Sequence, residues 1–277
     1  MTQNLSLIGF GEAGSTFAHA GQWGAQAHVW DIAAPRRALA QAEGIQVASD
    51  AADALRSSTL ALSLVTADSA LPAARDYAPF LASGAIWCDM NSIAPQSKQE
   101  AARWIEEAGA HYVDVAILAP VNPARMAVPL LLSGKAATDA AHCLSTLGFS
   151  NVRVVGDTIG RASAIKMVRS VMVKGLEALT DEMMAAAHAA GVEDEVLASL
   201  DASEKSIPWK ERAAYNLERM ETHGGRRAAE MEEVAKTLAG FGVEPLMTTG
   251  TVTRQRAAGI RGQQTKGNRK TREGKAA

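Results

Sequence analysis

Apolar residues arrive along this chain in two rhythms. Up to about residue 156 they come in short runs: 5–8, 27–31, 45–48, 60–65, 85–89, 111–118, 128–133 and 152–155. Several are nearly unbroken, as in Leu60-Ala61-Leu62-Ser63-Leu64-Val65. Runs of this length, bounded by Gly, Pro, Asn and Asp, read as strands, and the nearly continuous run at 60–65 as a parallel strand buried on both faces. Between them lie helical stretches at 15–22, after Pro35, at 50–57, 70–80, 95–107 and 137–147. This alternation of strand and helix predicts a doubly wound parallel sheet, with an antiparallel extension at its far end.

From residue 158 the rhythm changes. No proline falls between 158 and 190, and Ile165, Val168, Met172, Leu176 and Leu179 recur three and four apart. That spacing predicts one long helix with a single buried stripe. Further helices are expected at 193–202, 205–223, 226–241 and 248–258. The pattern divides the chain into an α/β domain over 1–157, an all-α domain over 158–260 and a tail over 261–277. The tail carries Arg261, Lys266, Arg269, Lys270, Arg272 and Lys275 against one acid, Glu273. With almost nothing apolar to offset its ordering entropy, it is expected to be disordered.

Composition narrows the function classes. A chain of 277 residues with a formal net charge of −2 shows no overall bias towards nucleic acid. Its two cysteines, Cys88 and Cys143, form no C-x-x-C pair, so neither a disulfide framework nor a zinc site is predicted, and no metal is expected. No apolar run approaches a membrane span, and the N-terminus lacks the features of a signal peptide. A cytoplasmic protein acting on a small molecule is the expectation.

The candidate chemistry starts at Gly9-Phe10-Gly11-Glu12-Ala13-Gly14, between the first strand and the first helix. In such a G-x-G-x-x-G turn Gly9 permits the tight bend, Gly11 lets a pyrophosphate approach the backbone, and Gly14 lets helix and strand pack closely. The helix start then offers amides and the positive end of its dipole to phosphate. Asp31 ends the second strand, where a carboxylate can accept from the ribose hydroxyls and repel a 2′-phosphate. This favours NAD. Arg36 and Arg37 follow closely and keep NADP in view, although solvated helix positions suit them better. Val65 and Thr66 end one parallel strand, and Asn91 and Ser92 follow another. Ligands bind at such ends, though Asn91 and Ser92 are also suited to capping the helix from Pro95.

With the glycine loop, Asn91-Ser92-x-x-Pro95 and Lys166 located, the chain resembles the β-hydroxyacid dehydrogenase family, which includes 3-hydroxyisobutyrate and 6-phosphogluconate dehydrogenases. It is similar to a bacterial branch of NAD(P)-dependent oxidoreductases. The resemblance implies a Rossmann-type sheet, a long interdomain helix, an all-α second domain and a homodimer. It also implies a catalytic lysine early in that helix, and Gly160-Arg161-Ala162-Ser163-Ala164-Ile165-Lys166 matches the pattern. Two asparagines usually follow, where this chain has Arg169 and Ser170. The substrate loop, Asp-x-Pro-x-Ser-Gly-Gly in the family, is here Asp114-Val115-Ala116-Ile117-Leu118-Ala119-Pro120. With Leu118 in place of the serine, Arg169 or Arg226 is the candidate to hold a substrate carboxylate, the alternative being a more apolar substrate. Trp209 and Tyr215 are candidates to line the cleft.

The expected activity is hydride transfer between a nicotinamide cofactor and a β-hydroxy acid or related alcohol, with Lys166 as general acid/base. Two alternatives stay open. Leu118 and the missing asparagines suit an imine reductase, against which the retained Lys166 argues. A non-catalytic dinucleotide sensor is the other.

Overall fold

The computed structural model describes residues 4–203, 208–240 and 242–273. The chain separates into two compact units, residues 1–170 and 171–277. The first is built on an eight-stranded sheet: β1 (Leu5–Ile8), β2 (Ala27–Trp30), β3 (Gln46–Val47), β4 (Leu60–Ser63), β5 (Ile86–Asp89), β6 (His111–Ile117), β7 (Leu130–Ser133) and β8 (Val152–Gly156). Their order is β3-β2-β1-β4-β5-β6-β7-β8. All neighbours are parallel except β6 and β7, the antiparallel extension expected from the sequence. The connecting helices are α1 (Glu12–Ala20), α2 (Ala34–Ala42), α3 (Ala51–Leu55), α4 (Ala70–Tyr77), α5 (Pro95–Glu107) and α6 (Ala137–Thr146).

The unbroken apolar runs have a direct structural cause. Successive strand residues point to opposite faces, and both faces are covered. Leu7, Leu62, Cys88 and Val113 join one core with Phe10, Phe17 and Phe149. Their neighbours Ile8, Ala61, Trp87 and Tyr112 join the other with Leu55 and Ile105. Burying each large side chain contributes roughly 1.5–3 kcal/mol. Phe17 and Phe149 meet edge to face with centroids 5.0 Å apart, tying α1 to the chain after α6.

The second helical series begins with α7 (Arg161–Ala190), followed by α8 (Glu193–Ser203), α9 (Trp209–Gly240) and α10 (Leu246–Glu273). Three expectations need correction. The two helices expected at 205–223 and 226–241 are one, α9, which runs straight through Gly224-Gly225. Neither glycine breaks the helix, and Gly224 admits its neighbour. A Cβ on Gly224 would lie 2.2 Å from the Gln255 carbonyl oxygen, and one on Gly262 would lie 2.2 Å from that of Glu221. α10 runs beyond residue 258 and through most of the basic segment expected to be disordered. Its last four residues, 274–277, lie outside the described part.

The third correction concerns the stripe on α7. Ile165, Val168, Met172, Leu176 and Leu179 are not buried; Val168 is 72 % exposed and Met172 49 %. Periodicity shows which residues share a face, not whether anything covers it. Glu182 on α7 is buried. Its carboxylate accepts from the amides of Met247 and Thr248 at 2.6 and 2.9 Å and from the Thr248 hydroxyl at 2.6 Å, capping α10. Burial pushes this carboxyl up, but the Thr248 hydroxyl and the α10 amides together hold it below the usual carboxylate range. His188 is a surface residue beside Glu193.

Candidate active site

Strand order reverses between β1 and β4, and there the sheet opens into a cavity of about 790 Å³. Its floor is the β1–α1 turn. Gly9 adopts φ +97°, and a Cβ there would lie 2.5 Å from the Leu64 carbonyl oxygen. A Cβ on Gly14 would lie 2.4 Å from the Gly9 oxygen, so the first and third glycines of this loop have no substitute. Gly11 differs: nothing lies within 4 Å of where its Cβ would point. That space belongs to the cavity, which Gly9, Gly11, Glu12 and Ala13 line. Phe10 sends its ring into the core and gives the site only its backbone.

Asp31 lines the cavity and also braces the loop. One carboxylate oxygen accepts the Phe10 amide at 2.7 Å and the other the Ala33 amide at 2.8 Å. Arg37 turns away: its guanidinium donates to the carbonyls of Asp31 and Ile32 and sits 4.8 Å from the Trp30 ring centroid. Arg36 does line the cavity, so the two arginines have different parts.

Val65, Thr66, Asn91, Ser92 and Lys166 complete the wall with Met90, Ala119 and Pro120. Asn91 is buried and donates from Nδ2 to Ser63 Oγ at 3.0 Å, but its Oδ1 has no partner. A buried acceptor left open at a cavity wall fits a ligand that brings a donor. Together with the open face at Gly11, the helix N-terminus and Asp31, the wall fits a dinucleotide: amides for its phosphates, a carboxylate for a ribose and room for close approach to the backbone. Half-buried Lys166 reaches Ser92 with its ammonium, which donates to Ser92 Oγ.

Other candidates fall elsewhere. Leu118 packs with Ala116 and Leu131 rather than on the cavity wall, and its carbonyl accepts from Arg169 Nη1 at 3.2 Å. Arg169 is thereby turned to a backbone carbonyl. Ser170 Oγ donates to the Lys166 carbonyl at 3.0 Å, four residues back, so its hydroxyl serves the helix and not the lysine amine. Trp209 opens α9 and Arg226 lies within it; their side chains are outside the described residues. Tyr215 is exposed and receives the Arg219 guanidinium on its hydroxyl. Among the described residues no cluster of His, Cys, Asp and Glu could hold a metal, and no helix is long and apolar enough to cross a membrane.

Sequence reasoning passed over Lys98. It lies on α5 in register with buried Ala101, Ala102 and Ile105, and is itself fully buried against Asp89 and Asp114. The available signal was a lysine at an apolar position of an amphipathic helix.

A cavity of this make-up, behind a G-x-G-x-x-G turn at the switch point of a doubly wound sheet, defines an NAD(P)-binding Rossmann protein. Residues 4–156 match the NAD binding domain of 6-phosphogluconate dehydrogenase, and residues 187–258 match a domain of unknown function, DUF1932. The chain belongs to the 6-phosphogluconate dehydrogenase NAD-binding family. Among solved structures it is similar to a conserved hypothetical protein from Sinorhizobium meliloti 1021, at 34% identity over 93% of this chain and 88% of that one, TM-score 0.64. It is also similar to a conserved protein of unknown function described as structurally similar to 3-hydroxyacid dehydrogenases, at 30% identity over 93% and 98%, TM-score 0.61. An imine reductase from Myxococcus stipitatus in complex with NADP+ shares the fold, at 20% identity over 92% and 93%, TM-score 0.76.

Proposed function

We propose that this protein is an NAD-preferring dehydrogenase of a β-hydroxy acid or related alcohol, with Lys166 as general acid/base. The observation that carries the reading is Lys166 and Ser92 meeting on the wall of the cavity that the glycine loop floors. Gly11, the α1 N-terminus, Asp31, Val65, Thr66 and Asn91 would hold the dinucleotide, which when bound supplies hydride acceptance and donation. The protein's own part is the proton. As an alcohol carbon loses hydride, its hydroxyl proton must leave, and a neutral Lys166 amine can take it; in reverse the ammonium returns it. Ser92 Oγ holds that amine on the cavity wall and can pass a hydrogen bond to the substrate oxygen.

Preference for NAD rests on the Asp31 carboxylate at the ribose position and on Arg37 being turned to carbonyls. A homodimer is supported by the exposed α7 residues Met172 and Leu179, because apolar stripes of this kind mark contact surfaces. Met172→Glu with Leu179→Glu should yield monomers in light scattering; a parent protein already monomeric at micromolar concentration would refute the dimer.

A second reading, imine reduction, is favoured by one feature of the sequence: Leu118 stands where the resembled family keeps a serine, so that loop offers no hydroxyl there. A panel of β-hydroxy acids, polyols, aryl alcohols and cyclic imines, run with both cofactors, separates the two. Turnover of cyclic imines with no hydroxy acid turned over would replace the first reading. Binding of NAD without turnover of any panel member would favour a sensor.

A further inference from the structure

A polar row crosses the sheet below the site. Ser63, Asp89, Asp114 and Ser133 are register partners on β4, β5, β6 and β7, and all four are buried. Lys98 enters this row from α5. Its Nζ lies 2.6 Å from the Asp89 carbonyl oxygen, 2.9 Å from Asp89 Oδ1 and 3.5 Å from Asp114 Oδ1. Tyr112 donates its hydroxyl to Asp89 Oδ2 at 2.6 Å. Burial of the tyrosine, then the Asp89 charge and its hydrogen bond, push the phenol well above its usual range and keep it a donor.

Two arms leave this centre. On one, Asp89 Oδ1 accepts the Asn91 amide at 2.9 Å and so fixes the turn that carries Ser92. On the other, Asp114 accepts the Ser163 amide at 2.9 Å and the Ser163 hydroxyl at 2.5 Å. Ser133 Oγ donates to Asp114 at 3.2 Å and accepts the Ala162 amide at 3.0 Å. Ala162 and Ser163 open α7, one turn ahead of Lys166. One buried ammonium therefore joins the segment bearing Ser92 to the segment bearing Lys166, and Lys98 itself is not on the cavity wall.

We propose that Lys98 is a positioning residue: it sets the approach of Lys166 to Ser92, acting through Asp89 and Asp114 and touching neither cofactor nor substrate. The inference rests on the proposed role of Lys166, but its test needs no substrate. A buried ion pair has no general need to stabilise a fold, and apolar replacements of such pairs are often neutral or better. Precise placement of two side chains on different segments gives this one a use.

Acetylation of the full-length protein with acetic anhydride across pH, read lysine by lysine by peptide mass spectrometry, reports the reactivity of the Lys166 amine. Exposed Lys135 serves as internal reference. Lys98→Met with Asp89→Asn removes one charge of each sign; it should keep cooperative thermal unfolding and displace the Lys166 profile relative to Lys135 by about half a pH unit, a threefold change at fixed pH. Ser163→Ala removes only one hydroxyl from the Asp114 arm. It should move Lys166 less, and it decides the matter if the double variant does not fold. A Lys166 profile unchanged in a folded double variant, or in Ser163→Ala where that variant is the arbiter, overturns the inference. If the profile moves but Lys166→Met retains turnover, the proposed function fails and the positioning inference stands.

Discussion

The two units of this chain are specified in opposite ways. Residues 1–170 are held by side-chain volume: two cores on either face of a sheet, with a charged row sealed between the strands and α5. In residues 171–277 α9 and α10 come close backbone to backbone at Gly224, Gly259 and Gly262. The first should fail when atoms are removed, the second when an atom is added. The first also carries every described wall residue of the cavity, whereas the second leaves apolar side chains on α7 open.

The largest effect should come from the first unit. Phe17→Ala empties a fully buried position and removes the edge-to-face pair with Phe149, costing roughly 3–5 kcal/mol of stability. Thermal or denaturant unfolding followed in the first unit reads it directly, and a loss below about 1 kcal/mol would mean that the pocket collapses around the deletion. The reverse change tests the second unit. Gly224→Ala improves intrinsic helix propensity by about 1 kcal/mol. It nevertheless puts a methyl against the Gln255 carbonyl, which is backbone and cannot swing aside. A net loss of about 1–3 kcal/mol is expected, as for overpacking. Net stabilisation would mean that the two helices are not so closely packed.

How much of this contrast could be read from the sequence follows the same divide. The unbroken run at 60–65 announced a strand with both faces covered because side chains alternate by necessity. The glycine loop announced its turn because Gly9 and Gly14 have no substitute at their backbone contacts. Gly224-Gly225 was misleading for the same reason turned round: a glycine that admits a neighbouring helix looks like one that ends its own. Lys98 was overlooked because its two carboxylate partners are brought to it by strand register across β5 and β6, which no local spacing reveals. Ser170 lies four residues after Lys166, but that spacing alone could not show that its hydroxyl bonds the Lys166 backbone carbonyl.

Glu182 sharpens the account of the second unit. Its folded pKa lies below the ordinary carboxyl value, so its stabilising bonds are fully present above the ordinary range and are lost as pH falls through the folded value. Glu182→Gln should cost roughly 1–3 kcal/mol at neutral pH. The gap between parent and variant should close in acid; a gap that widened there would assign the stability to another group.

The smallest effect expected is on cofactor choice. Asp31→Ala removes both the carboxylate facing the cavity and the brace on the Phe10 amide. NAD affinity should fall about tenfold, or 1.4 kcal/mol, and the preference over NADP should relax. Fluorescence titration with both reduced cofactors measures this, and tighter NADP than NAD binding by the parent protein would reverse the assignment.

The central claim is that proton transfer belongs to Lys166. Its most direct test is the pH dependence of kcat for Lys166→Met beside the parent protein, using the best substrate from the panel. Methionine keeps helix propensity and apolar length, and the glycine loop that would hold the dinucleotide is unaltered. The account predicts kcat lower by roughly 10²–10⁴ with cofactor affinity retained, and loss of the pH limb set by the amine. A kcat close to that of the parent across the whole pH range would contradict it.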